Sequence, residues 1–181
     1  METWDVYNAR GEKTGRVQEE GQPLREGEFR LCGSLWLLNT KGELLIQQRA
    51  QCKSRAPGKW SVTGGGALAG ETGLQACLRE AREELGLAFE PEQLSLLLKS
   101  VGEGLIFEDY IVRCDLPVQA MTLQEQEVSQ VQWASPQEIR ALADEGEFIY
   151  QESELQKVLD YAKESLRERP PAQKGQQGAG G

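Results

Sequence analysis

The 181-residue sequence contains no histidine. This absence excludes catalysis by Ser-His-Asp or Cys-His groups, and it also excludes zinc or non-haem iron held by imidazole. Any chemistry must therefore use carboxylates, Lys, Arg, Tyr, Cys, Ser or a hard metal ion.

Long apolar runs are also missing from the sequence. No stretch approaches the roughly 20 consecutive apolar residues that a membrane-spanning helix requires. The first residues carry acidic side chains in place of the apolar segment of a signal peptide. We therefore expect no membrane partner and a cytoplasmic location.

Positive charge is scarce, since 20 Lys and Arg face 29 Asp and Glu, for a net charge of −9. A nucleic-acid partner is not expected, because phosphate backbones require a basic face. The cysteines are widely spaced and form no C-x-x-C pair, which predicts reduced thiols rather than a zinc or redox site. They are Cys32, Cys52, Cys77 and Cys114.

The chain length suits one ordinary domain. Residues 1–30 are predicted to form an N-terminal hairpin extension, because two short strand-like segments flank the polar turn from Asn8 to Gly11. Residues 31–168 are predicted to form the main domain. Residues 169–181 are rich in Gly and Gln, and they are predicted to form a disordered, low-complexity tail.

Apolar patterns within the main domain predict both strands and helices. Strands are predicted at residues 31–39, 43–49, 59–63, 94–101, 105–116 and 131–133. A helix after Gly70 is predicted from Leu74, Cys77, Leu78, Ala81 and Leu85, with Gly86 at its end. Another helix is predicted to start at Ser135 and Pro136, with Glu138 completing a capping box. A last helix is predicted from Leu155, Val158, Leu159, Ala162 and Leu166, ending before Pro170.

The helix after Gly70 carries three acidic residues on one face. Glu80, Glu83 and Glu84 are three and four positions apart, so they are neighbours on the helix surface and repel one another. A cation between them would remove this cost, and an all-carboxylate site selects a hard ion such as Mg²⁺ or Mn²⁺. The residues alone leave open a second interpretation, a solvated acidic face.

The residues from 65 to 87 decide between these interpretations. They resemble the signature of the Nudix hydrolases, G-x5-E-x7-R-E-U-x-E-E-x-G-U, where U is apolar. The fixed positions are met by Gly65, Glu71, Arg79, Glu80, Glu83, Glu84 and Gly86, and the apolar ones by Ala81 and Leu87.

The resemblance implies an α/β (α+β) fold, the Nudix α/β/α sandwich, with a mixed β-sheet between helices. It also implies a Mg²⁺-dependent hydrolase, with Mn²⁺ as the alternative ion, acting on a nucleoside diphosphate linked to another group or on a related diphosphate. It assigns metal binding to Glu80, Glu83 and Glu84, with the backbone carbonyl of Gly64 or Gly65. Glu80 is the leading candidate for the general base, and Arg79 and Glu71 are implied orienting partners.

A diphosphate needs positive charge beside the metal ion. A basic cluster before the acidic helix is the candidate for phosphate binding: Arg49, Lys53, Arg55 and Lys59. A solvated basic loop is the alternative, and Arg49 could instead pair with the acidic helix. The glycines from Gly64 to Gly66 are predicted to form a turn that lets the backbone approach the ligand.

Family members often recruit a further carboxylate from a later loop. Glu127 is favoured here because it immediately precedes the strand that begins near Val128. The competing candidates are Glu103, Glu108, Asp109 and Glu125.

The N-terminal segment and the residues before the glycines resemble the Nudix branch that contains isopentenyl-diphosphate isomerase. The isomerase has a catalytic cysteine before the signature and histidine metal ligands. Here Ser61, Val62 and Thr63 occupy that region, and Arg30 stands where the branch often has histidine. Isomerase activity is therefore disfavoured.

Two other classes remain as alternatives to a hydrolase. One is a Nudix-fold module that binds a nucleotide without cleaving it, which would not need all three glutamates. The other is a Ca²⁺-binding structural protein, but the sequence has no D-x-D-x-D-G loop. The substrate is not specified by any subfamily marker, and a homodimer is the assembly that the resemblance favours.

Overall fold

The structure is a computed structural model that describes residues 1–167, so the predicted tail at 169–181 and the predicted domain end at residue 168 lie outside the described residues. The strands are β1 (Thr3–Tyr7), β2 (Lys13–Glu19), β3 (Arg30–Leu38), β4 (Leu44–Arg49), β5 (Trp60–Ser61), β6 (Thr63–Gly66), β7 (Ser95–Gly102), β8 (Leu105–Arg113) and β9 (Val128–Ala134). The helices are α1 (Gly73–Leu85), α2 (Pro136–Asp144) and α3 (Glu152–Arg167), and short 3₁₀ turns span Pro91–Gln93 and Val118–Ala120. No helix among the described residues has the length and apolar character needed to cross a bilayer.

The N-terminal hairpin is present as predicted, with β1 antiparallel to β2. It packs against the rest of the molecule through β1, because Trp4, Val6 and Tyr7 are buried. Tyr7 and Phe29 exchange backbone hydrogen bonds of 2.8 and 2.9 Å. The hairpin therefore shares the core instead of standing apart from it.

The remaining strands form one mixed sheet of seven strands, centred on β3. β3 runs parallel to β8 on one side. On its other side it pairs with β4 only at Leu38 and Leu44, and its first half pairs antiparallel with β6. β4 continues away from β3 and pairs with β5 and β9. The opening between β3 and β4 is thus filled by β6, the strand that leads into α1.

Helices cover both faces of this sheet, which confirms the predicted α/β/α sandwich with a mixed sheet. On one face Cys77, Ala81 and Leu85 of α1 pack against Leu35 and Leu37 of β3. On the other face α2 and α3 pack against the alternate residues of the strands, including Trp36 and Ile46. Successive strand residues point to opposite faces, so β3 and β4 are apolar on both sides.

The helix ends follow local chemistry. The Thr72 hydroxyl accepts from the Gln75 backbone N–H at 3.2 Å to start α1, and Gly86 ends it with a φ of 68°. The predicted capping box of Ser135 and Glu138 is present at the start of α2. The predicted apolar face of α3 is buried except for Leu166, which stays 44% exposed at the end of the helix.

The glycines from Gly64 to Gly66 were expected in a turn, and this prediction is wrong. They form β6, in which Gly64 lies opposite Ser34, Gly65 opposite Gly33, and Gly66 opposite Cys32. Glycine is required here for space: a Cβ on Gly64 would lie 2.2 Å from the carbonyl oxygen of Gly33. Periodicity could not reveal this strand, because residues without side chains carry no apolar alternation.

Candidate active site

Glu84 is the most deeply buried of the three signature glutamates, since only 7% of it is exposed. It lies on the last turn of α1, where the side chain faces β4 and β6. The Gln47 amide donates to Glu84 Oε2 at 2.9 Å, and the backbone N–H of Gly64 also donates to this carboxylate. Burial raises the pKa of Glu84 to about 7, and the negative charges of Glu80 and Glu127 add to the rise.

A second hydrogen bond extends inward from Gln47. The hydroxyl of Thr63, on β6, donates to Gln47 Oε1 at 2.8 Å. Gln47, Thr63 and Glu84 are all buried, and they connect α1 with two different strands. No sequence motif identified Gln47 or Thr63 as a site residue, although the polar Gln47 directly follows the apolar residues of β4.

Glu80 lies against the backbone of β6. A Cβ on Gly65 would be 2.2 Å from Glu80 Oε1, so the carboxylate occupies the space that a side chain at position 65 would need. Burial raises the pKa of Glu80 despite its ion pair with Arg79, and the charge of Glu83 contributes. Glu83 is half-exposed at the outer side of the same helix face.

Arg79 connects α1 to the end of β6 and to the loop at residues 67–72 that precedes the helix. Its Nε and Nη2 donate to the two carboxylate oxygens of Glu71 at 2.9 and 3.1 Å, and Nη2 also donates to the Gly66 carbonyl at 2.9 Å. Nη1 contacts Glu80 at 2.8 Å and Glu83 at 3.2 Å. Burial alone would lower the pKa of Arg79, but these acidic partners raise it. The guanidinium therefore contacts three acids, Glu71, Glu80 and Glu83, and the Gly66 carbonyl of β6.

The donor groups around α1 fit a hard divalent cation. Within residues 1–167 no three Asp, Glu or Cys side chains are already grouped closely enough to hold a metal ion. However, the candidate donors are all oxygens, the charge of Glu80 raises the pKa of Glu84, and the third glutamate, Glu83, is half-exposed beside them. Gly65 of β6 lies directly beside the Glu80 carboxylate.

The residues of the basic cluster contact different partners. Lys53 pairs with Glu127 at 2.5 Å, so two predicted site residues are in contact. Arg55 and Glu80 both lie near enough to the Cys32 thiol to influence its pKa, which burial raises. Arg49 Nε donates to the Arg55 carbonyl at 3.0 Å instead of pairing with the acidic helix.

Lys59 is directed elsewhere, because it pairs with Glu147 at 2.6 Å, between α2 and α3. The structure therefore brings Arg55 and Lys53 towards the glutamates, but it gives Lys59 a different partner.

The competing carboxylates are also separated by the structure. Glu127 lies close enough to Glu84 to affect its pKa. Glu108 instead pairs with Lys99 at 2.9 Å. Asp109 is buried, and it accepts from Trp36 Nε1 at 3.3 Å in the α3-facing core. Glu103 occupies the turn between β7 and β8, and Glu125 is exposed in the loop before β9.

A cavity of about 500 Å³ lies between the N-terminal hairpin and the β7–β8 turn. Its lining includes Glu2, Trp4, Arg30 and residues 20–24 and 103–105. The Arg30 guanidinium carbon is 3.3 Å from the centroid of the Trp4 ring. The charge of Glu2, which lines the cavity, contributes to the pKa of both Arg30 and Glu80. No sequence motif identified Trp4, because its contact with Arg30 depends on how the hairpin packs.

Comparisons with known proteins agree with this geometry. The model of the NUDIX domain matches residues 29–153. An uncharacterized Nudix hydrolase of Listeria monocytogenes is 37% identical over 152 residues, which cover 82% of this chain and 89% of that protein. The isopentenyl-diphosphate Delta-isomerase of Escherichia coli is 32% identical over 135 residues, covering 71% of this chain and 74% of the isomerase.

Among solved structures, the Deinococcus radiodurans protein DR0079 superposes with a TM-score of 0.70 at 26% identity, covering 90% of this chain and 98% of that one. The match to the family model spans well over half of the sequence, and it includes the loop, β6 and the α1 glutamates described above. The chain belongs to the Nudix hydrolase family.

Proposed function

We propose that the chain hydrolyses a phosphoanhydride bond in a nucleoside diphosphate linked to another group, or in a related organic diphosphate. The single observation that carries this proposal is the arrangement of Glu80 and Glu84 beside β6. Both carboxylates are largely buried and repel each other, and Arg79 pairs with Glu80, whereas the donors to Glu84, the Gln47 amide and the Gly64 N–H, are uncharged. A buried pair of this kind is costly without a cation.

Mg²⁺ is the proposed cofactor, with Mn²⁺ as the alternative. Glu80, Glu83 and Glu84 would hold it, together with the carbonyl of Gly64 or Gly65. When bound, the cation supplies activation of water and neutralises charge on the phosphoryl group.

Glu80 is proposed as the group that accepts the proton of the attacking water. Its raised pKa, caused first by burial, makes it a better proton acceptor than an exposed carboxylate. Glu127 remains the alternative base, although its carboxylate is engaged by Lys53. Arg79 would keep Glu80 in place, and its own charge stays fixed because its pKa is raised.

Substrate binding is proposed on both sides of the glutamates. Arg55, Lys53 and Arg49 would contact the phosphates, whereas the contact of Lys59 with Glu147 makes it the weakest member of this predicted set. The cavity beside Arg30 offers space for the group attached to the diphosphate. Glu2, Glu20 and Glu103 line it, so an uncharged, hydroxyl-bearing group fits better than a further phosphate.

We also propose that the chain forms a homodimer and is cytoplasmic. Its proposed division is a hairpin extension at 1–30 and a Nudix domain from residue 31.

The proposal is tested by measuring product release from nucleotide sugars, dinucleotides, nucleoside triphosphates and isopentenyl diphosphate, with Mg²⁺ and with a chelator. We expect Mg²⁺-dependent hydrolysis of at least one diphosphate, and nucleotide sugars to be preferred over triphosphates. Glu84→Gln should lower kcat by at least about 100-fold, because removal of a metal-binding carboxylate weakens charge stabilisation. Glu164→Gln, an exposed acid on α3, is the matched control and should leave kcat unchanged.

Two outcomes would contradict the proposal. Folded protein without metal-dependent turnover of any diphosphate would remove the hydrolase assignment. A Glu84→Gln variant with altered nucleotide affinity but no rate to lose would favour the binding module, and conversion of isopentenyl diphosphate to its isomer would favour the isomerase.

A further inference from the structure

The two buried hydrogen bonds that connect Thr63, Gln47 and Glu84 run in one donor-to-acceptor direction, from Thr63 to Glu84. The Gln47 NH₂ group donates to Glu84 Oε2, so the amide is turned with its nitrogen towards the carboxylate. Its carbonyl oxygen then points away, into a buried position where it needs a donor. The Thr63 hydroxyl supplies that donor at 2.8 Å. Each group therefore sets the orientation of the next.

These hydrogen bonds reach the candidate active site at the Glu84 carboxylate. Gln47 contacts Glu84 Oε2 from the sheet side of α1 at 2.9 Å. The Gly64 N–H donates to the same carboxylate and immediately follows Thr63 in β6. Two supports from the sheet thus hold Glu84, and one of them depends on a residue that does not itself touch the glutamate.

We infer that Gln47 and Thr63 are positioning residues, which fix the Glu84 carboxylate in the orientation that metal binding and hydrolysis require. Gln47 acts by direct contact, and Thr63 acts only through Gln47. This inference rests on the proposed function, because Glu84 must belong to the working site for its orientation to matter.

A purely structural role would give a different result. The three residues are buried, so removal of any hydrogen bond could lower stability without any special effect on the site. The two roles separate when metal affinity and kcat are measured beside the free energy of unfolding. If the residues position Glu84, their removal changes metal affinity and kcat by more than the loss of folded protein explains.

The experiment uses the full chain with Thr63→Val, Thr63→Ser, Gln47→Leu and the double variant Gln47→Leu/Thr63→Val. Measurements are the Mn²⁺ dissociation constant by calorimetry, kcat and KM with Mg²⁺, and urea unfolding. Gln47→Leu should weaken Mn²⁺ binding and lower kcat by about 10-fold to 100-fold, as is typical for partners of metal-binding side chains. Thr63→Val should also weaken Mn²⁺ binding and lower kcat, but by less. Thr63→Ser keeps the hydroxyl, so its Mn²⁺ affinity and kcat should match those of the wild type.

The double variant gives the sharpest comparison. Because Thr63 acts through Gln47, Thr63→Val should have no further effect on Mn²⁺ affinity or kcat once Gln47 is leucine. Ser61→Ala is the matched control: Ser61 is also buried, in β5, and among the described residues its hydroxyl has no hydrogen-bond partner. It should leave Mn²⁺ affinity and kcat unchanged.

Additive effects of the two substitutions, or Thr63→Val with unchanged Mn²⁺ affinity, would overturn the inference while leaving the proposed function intact. Wild-type protein that binds Mn²⁺ but hydrolyses nothing would overturn the proposed function and the catalytic part of the inference together. A Gln47→Leu chain that fails to fold leaves Thr63→Val and Thr63→Ser to decide, since they retain the contact between Gln47 and Glu84.

Discussion

At the scale of single residues, two buried carboxylates lie on opposite faces of the sheet in different surroundings. Glu84 lies on α1, where burial and, after it, the neighbouring acids raise its pKa, and a cation would be favourable. Asp109 faces the α3 side, beside Trp36, Ser34 and Tyr150, which all offer hydrogen-bond donors. The same functional group, a buried carboxylate, is therefore a candidate metal ligand in one place and part of the core in the other.

The buried position of Asp109 predicts a pH-dependent stability. Burial raises its pKa, the nearby charge of Glu154 adds to the rise, and the donors of Trp36, Ser34 and Tyr150 oppose it. A raised folded-state pKa means that stability is lost as pH rises from the unfolded value near 3.8 through the folded value. Asp109→Asn stays neutral, so its free energy of unfolding relative to wild type should increase with pH in urea titrations.

Glu138 provides a control of opposite sign. Hydrogen bonds at the start of α2 lower its pKa, so its stabilising effect is lost as pH falls. Glu138→Gln should therefore lose stability relative to wild type at neutral pH and match it in acid. An Asp109→Asn difference that stays constant across the pH range would show that Asp109 does not titrate differently in the folded chain.

At the scale of secondary structure elements, two glycines of strand β6 differ in what an added side chain would contact. A Cβ at Gly64 would meet backbone, at 2.2 Å from the Gly33 oxygen, which cannot move without disturbing β3. A Cβ at Gly65 would meet the end of the Glu80 side chain, which can rotate away. We therefore expect Gly64→Ala to destabilise the fold by about 1–3 kcal/mol. Gly65→Ala should retain most of the stability but lose metal affinity and kcat.

Thermal unfolding and Mn²⁺ titration of both variants test this difference. Gly102→Ala in β7 is the matched control, because its Cβ would have only ordinary contact, 3.4 Å from Gln151. Equal loss of stability in the Gly64 and Gly65 variants would contradict the assignment of Glu80 as the movable neighbour.

The same strand shows how far the sequence could predict the elements. The helix α1 was predictable because its apolar positions repeat with helical spacing and Gly86 ends it. The three glutamates and Arg79 were predictable from the same segment. β6 was not, since glycines give no alternation, and Gln47 and Thr63 become neighbours of Glu84 only when β4 and β6 meet under α1. Contacts between distant segments depend on strand pairing, which local patterns do not specify.

At the scale of the whole molecule, the N-terminal hairpin is part of the cooperative fold. Trp4, Val6 and Tyr7 bury side chains that are each worth about 1.5–3 kcal/mol. Removal of residues 1–20 should therefore lower the melting temperature by roughly 10 °C or more, since about 1 kcal/mol shifts a domain of this size by 2–4 °C. Circular dichroism measures the change.

Val17→Ala serves as the control for this truncation, because Val17 is exposed on β2 and its loss should leave the melting temperature unchanged. An unchanged melting temperature after the truncation would mean that the hairpin is an independent extension, as the sequence boundary at residue 30 suggested. The match of the NUDIX family model begins at residue 29, after the hairpin.

The contacts of the site also differ in how far apart along the chain their partners lie, and this difference bears on folding kinetics. Arg79 reaches Glu71 across 8 positions, whereas Gln47 reaches Glu84 across 37 and Lys53 reaches Glu127 across 74. Short loops close at a lower entropic cost, so the Arg79 arrangement can form with α1 alone. The Glu84 carboxylate is oriented only after β4 and β6 have assembled. Hydrolytic activity during refolding would therefore report the completed sheet, and it should appear later than helical structure.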